Sequence, residues 1–104
     1  MASLQTMQGL TPTFIVKVPD TVDLTEAAHV YVSLRQGKTL VKLTEGFDVE
    51  AHEVDIYLTQ AQTIIFEPGN IEIQLNWTYS DGSRAATEIK NITITRNHLL
   101  EVLP

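Results

Sequence analysis

The chain has 104 residues, enough for one modest core and too few for two. It has no cysteine, which excludes disulfides, cysteine-bearing zinc sites and thiol nucleophiles together. Its formal charge of −6 argues against nucleic acid, whose phosphates need clustered Lys and Arg, while 43% apolar content is that of a globular domain.

Residues 1–10 are polar and unpatterned, and read as a flexible leader. They lack a basic start and an apolar stretch, so a signal peptide is not expected. No apolar run approaches the roughly 18 residues of a membrane helix, and no membrane partner is expected.

The first strand is expected over 13–18, with Phe14, Val16 and Val18 on one face. Pro19 ends it, because proline cannot donate to a ladder. The connection 20–27 can hold a short helical turn capped by Asp23 or Thr25. A second strand over 28–35 turns Val30, Val32 and Leu34 inward and His29, Tyr31, Ser33 and Arg35 outward. Gly37 serves a turn, and a third strand over 39–44 points Val41 and Leu43 inward. A short strand is possible over 47–49. The next, over 53–58, buries Val54, Ile56 and Leu58. Thr59 and Gln62 fit a capping box, which predicts one helical turn over 60–65.

Residues 70–96 read as one long hairpin. Ile71, Ile73, Leu75, Trp77 and Tyr79 share its inward face. A three-residue loop, Ser80-Asp81-Gly82 with Gly82 left-handed, sets Trp77 opposite Ala85, Leu75 opposite Thr87 and Ile73 opposite Ile89. The inward phase must then slip to Ile92 and Ile94, which predicts a bulge near Lys90-Asn91. The C-terminal segment 97–104 is apolar for a chain end.

Short strands punctuated by turns predict an all-β, antiparallel β-sandwich with six to seven strands and one short helical turn, with a closed barrel as the alternative. The expected organisation is a leader (1–10), a sandwich domain (11–96) and an apolar tail (97–104).

The residues carry no catalytic signature. His29, His52 and His98 fall in different elements, without metal-ligand spacing. No serine has a nucleophile-elbow context, and no glycine-rich phosphate loop exists. Neither catalytic residue, cofactor nor metal is expected. Glu45, Asp48, Glu50, Glu53 and Asp55 form an acidic run with no intervening Lys or Arg. It reads as a solvated face, a cation site or a docking surface for a basic partner. Trp77 reads as core, and Tyr31 as an interface contact. Leu99, Leu100, Val102 and Leu103 pack either on the domain's own edge or on a neighbour.

The run Thr11-Pro12-Thr13-Phe14 through Asp20-Thr21-Val22-Asp23-Leu24-Thr25-Glu26-Ala27 to Val30-Tyr31-Val32-Ser33-Leu34-Arg35-Gln36-Gly37 carries a resemblance. So do Asp55-Ile56-Tyr57-Leu58-Thr59-Gln60 and Gln74-Leu75-Asn76-Trp77-Thr78-Tyr79 to Arg84-Ala85-Ala86. Together they resemble small immunoglobulin-like β-sandwich structural proteins of phages and prophages of gut Firmicutes. The pattern is similar to the N-terminal domain of baseplate upper proteins. The resemblance implies a non-enzymatic virion structural or assembly protein of tail, baseplate or head, made in the host cytoplasm. Its partners would be other virion proteins or itself, in an oligomer or larger assembly. A carbohydrate- or ligand-binding β-sandwich module is the alternative.

Overall fold

The structure is a computed structural model that describes residues 4–104. The elements run β1 (Leu4–Met7), β2 (Thr13–Lys17), a 3-10 turn (Leu24–Glu26), β3 (His29–Gln36), β4 (Thr39–Leu43), β5 (Phe47–Val49) and β6 (Glu53–Tyr57). There follow α1 (Gln60–Ile64), β7 (Gly69–Thr78), β8 (Arg84–Ala86) and β9 (Lys90–Thr95). The larger sheet has the order β1-β9-β7-β3-β4, with β8 also paired to β7. The smaller sheet has the order β2-β6-β5. Every pairing is antiparallel except β1 with β9.

The alternation of each strand decides what lies between the sheets. Phe14, Val16, Val54 and Ile56 point inward from the smaller sheet. They meet Val32, Leu34, Leu43, Ile71, Ile73, Leu75, Trp77, Ile92 and Ile94 of the larger one. Leu24, from the 3-10 turn, and Phe66, after α1, belong to the same buried cluster. Burying a side chain of this size contributes about 1.5–3 kcal/mol, so this layer is the main term holding the sandwich shut.

The local signals predicted for the connections are in place. Asp23 caps the 3-10 turn, its side chain accepting from the Thr25 N–H. Thr59 and Gln62 form a complete capping box at the start of α1, each side chain accepting from the other's backbone N–H. Val41 is half-buried and Leu43 buried, whereas Leu40 is exposed.

Among the described residues nine strands stand where six to seven were expected. One addition comes from the expected leader. Leu4–Met7 pairs in parallel with Ile92–Thr95 and extends the larger sheet. Gln8 follows it into the interior, donating to the Phe66 carbonyl at 2.8 Å and accepting from the Asn97 N–H at 3.2 Å. The unpaired edge of β9 supplies the reason: its backbone groups need a partner, and the leader's backbone provides one. The part of that expectation that falls on residues 1–3 lies outside the described residues.

The other addition comes from the hairpin's returning arm, which is divided. Trp77 lies opposite Ala85, and the Thr87 N–H donates to the Leu75 carbonyl at 3.0 Å, the register a three-residue loop requires. Ile73, however, pairs with Lys90 rather than Ile89. The extra residue is therefore absorbed at Glu88-Ile89, just before the predicted place. The phase slip still turns Ile92 and Ile94 inward, and it throws Ile89 out to the surface.

Candidate interaction surfaces

The outward positions of a two-layer sandwich form two opposite faces, and here the faces differ in charge. On the larger sheet, strand pairing gathers outward residues from β3, β4, β7 and β8. Arg35 lies opposite Leu40 and Glu72, Ser33 opposite Lys42 and Gln74, and Tyr31 opposite Asn76. Arg84 adjoins them, opposite Thr78. These side chains, with Ile89, line a shallow groove of about 470 Å³.

Three cations, Arg35, Lys42 and Arg84, border the groove against one acid, Glu72. The contacts that position the arginines leave their charge in place, because the acceptors are neutral. Arg84 donates from Nε and Nη2 to the Asn76 carboxamide at 3.2 and 2.9 Å. Arg35 Nε donates to the Gly37 carbonyl at 3.1 Å. Lys42 Nζ sits 5.1 Å from the centre of the Tyr31 ring, within cation–π range. Tyr31 is thus half-buried on the outer face, stacked under a cation and flanked by His29 at 6.2 Å.

The smaller sheet turns the acidic run outward. Asp48 stands directly opposite Asp55, which in turn lies opposite Ile15, while Glu53 lies opposite Lys17. Tyr57 donates its hydroxyl to Asp48 Oδ2 at 3.0 Å, and this bond holds its phenol above the ordinary range. A hydrogen bond with Asp55, then loss of water, then the charges of Asp55 and Glu50 push Glu53 above the usual carboxylate range. One oxygen of Asp55, Oδ1, is buried without a hydrogen-bond partner among the described residues. Among the described residues no group of three or more His, Asp or Glu side chains converges as a metal site.

The C-terminal apolar segment forms a third surface, away from both faces. Gln60, in the first turn of α1, uses both ends of its amide on Leu103, donating to its carbonyl at 3.0 Å and accepting from its N–H at 2.8 Å. Asn97 is tied to the Gln8 carbonyl at 2.9 Å. Between these clamps Leu99, Leu100, Val102 and Leu103 remain 55, 52, 61 and 46% exposed. Leu10, also exposed, belongs to the same end of the molecule, its carbonyl accepting from the Thr63 hydroxyl at 2.8 Å.

The structure therefore does not bring Tyr31 together with Leu99, Leu100, Val102 and Leu103: the tyrosine lies on a sheet face, the others beside α1. The basic groove was not read from the sequence. Arg35 and Lys42 fall on two strands joined by the Gly37 turn, but Arg84 is far along the chain, and only the pairing of β7 with both β3 and β8 makes it their neighbour. The outward phase of Arg35 was the available signal. No protein-family model matches this chain, and no curated protein matches it.

Proposed function

We propose that this chain is a non-enzymatic structural or assembly module that works through protein–protein contacts, of the kind found in the tail, baseplate or head of a phage particle. The observation that carries this reading is the display of the C-terminal segment. Four large apolar side chains are held about half exposed by hydrogen bonds from Gln60 and Asn97, instead of folding into the core. An exposed cluster of large apolar side chains is the usual form of a docking site. Covering the exposed halves would contribute about 4 kcal/mol, enough to matter once repeated by symmetry. The strand-and-turn resemblance to immunoglobulin-like virion proteins supports the same reading and supplies its biological class.

The test is co-purification with the products of the flanking genes, co-expressed with the full chain and with a variant ending at His98. The shortened chain should lose its partner while keeping its melting temperature within a few degrees. Equal losses of partner and melting temperature would make the segment part of the fold instead. The groove beside Tyr31 favours a second reading, a carbohydrate- or ligand-binding module. A glycan array showing saturable binding that Tyr31→Ala abolishes would favour it over assembly.

A further inference from the structure

We propose that the two outer faces of the sandwich are complementary to each other, so that the basic groove on the larger sheet of one copy receives the acidic face of the smaller sheet of a second copy. The groove carries Arg35, Lys42 and Arg84 against Glu72. The acidic face carries Asp48, Glu53 and Asp55 against Lys17. Each face also offers two large exposed apolar side chains: Leu40 and Ile89 at the groove, Ile15 and Tyr57 on the acidic face. Opposite charge supplies the attraction, orients the contact and rejects like faces, while the apolar side chains add contact area that does not hold the copies together by itself. The chain as a whole is acidic, at −6, so a basic patch gathering three of its seven Lys and Arg runs against the overall charge.

The acidic face also has an unmet need that a partner's cations fill. Asp48 and Asp55 oppose each other directly, an arrangement that is unfavourable in isolation. An arginine from a neighbouring groove, set against this pair, answers that repulsion. Because the faces lie on opposite sides of a two-layer sandwich, the contact does not close on itself in a dimer. It continues as a stack or a ring, a heterologous head-to-tail assembly. The inference names the partner for an assembly module, but it rests on the sheet faces and not on the C-terminal segment.

Sedimentation velocity on the full chain tests it. The sedimentation coefficient should rise with concentration in about 0.02 M salt and fall back to the monomer value in about 1 M salt, where the Debye length is roughly 3 Å. Two variants, Arg35→Glu with Lys42→Glu and Asp48→Lys with Asp55→Lys, should each be monomeric alone, because both faces then share one sign. Mixed in equal amounts they should associate again, each reversed face meeting its new complement. A chain that stays monomeric at every concentration and salt overturns the proposal, as does failure of the mixed variants to associate. Association lost in a chain ending at His98 but kept by both reversed variants also overturns it, and leaves the assembly reading standing on the C-terminal segment. If a reversed variant does not fold, the salt series on the unaltered chain decides: association that persists in about 1 M salt overturns the inference.

Discussion

Trp77 donates its indole N–H to the hydroxyl of Tyr79 at 3.0 Å, two residues along the same inward face of the sheet. The indole itself is buried, and Tyr79 packs partly against the core beside it. The pair resolves a conflict: a large aromatic can fill the sandwich only if its polar atom finds a partner. Tyr79→Phe keeps the ring and removes the acceptor. It should cost about 1–3 kcal/mol, the penalty for leaving a buried donor unpaired, and urea unfolding followed by tryptophan fluorescence measures it. A cost near zero would mean that water reaches the indole.

The turn that sets this register depends on one backbone angle. Gly82 has φ +88°, and the Gly82 N–H donates to the Tyr79 carbonyl at 3.0 Å. No neighbour would touch an added Cβ there, so a substitution meets backbone strain alone. Gly82→Ala should destabilise by about 1 kcal/mol, and Gly82→Asn by less, because asparagine tolerates the left-handed region better. Equal effects of the two would mean that the loop relaxes to another turn type.

The inward faces, the capping box and the hairpin register were legible because each is a local pattern: period two, a Thr-x-x-Gln spacing, a glycine after a polar pair. What was not legible depended on pairing between distant segments. Leu4–Met7 has no alternation of its own to mark it, and it becomes a strand because β9 leaves backbone groups open. The bulge was inferable from the need to bury Ile92 and Ile94, yet its position was not. Thr87 decides that, its hydroxyl accepting the Leu75 N–H at 3.1 Å and holding the older register one step longer. The basic groove was hidden for the same reason, since each cation reads singly as an ordinary solvated residue.

Gln60 clamps Leu103 by both backbone groups, and it does so from the capped turn of α1. Gln60→Ala should release the end of the segment while leaving the core intact. Hydrogen exchange at the Leu103 amide should speed up at least tenfold, and the melting temperature should move little, because surface substitutions of this kind usually stay within about 0.5 kcal/mol. Unchanged exchange would show that apolar packing, and not the amide, holds the segment.

The acidic face makes stability depend on pH in a direction opposite to that of the turn aspartates. Glu53 has its carboxyl held above its ordinary value of 4.5, mainly by the hydrogen bond with Asp55. A raised value means that folding favours the protonated acid, so this contribution is present at low pH and lost as pH rises through the folded value. Asp23 and Asp81 are held below their ordinary 3.8, chiefly by the hydroxyls of Thr25 and Ser83. Their contribution is present above that value and lost as pH falls through the depressed one. Lowering the pH from neutrality should therefore raise the melting temperature until Glu53 is protonated, and only then lower it. Solvent screening keeps each step small. Glu53→Gln removes the charge and offers a permanent donor beside Asp55. It should raise the melting temperature at pH 7 and erase the initial rise, while the acid-side fall remains. A Glu53→Gln curve that still climbs on acidification would place the repulsion elsewhere on that face, with Asp48 against Asp55 as the remaining pair.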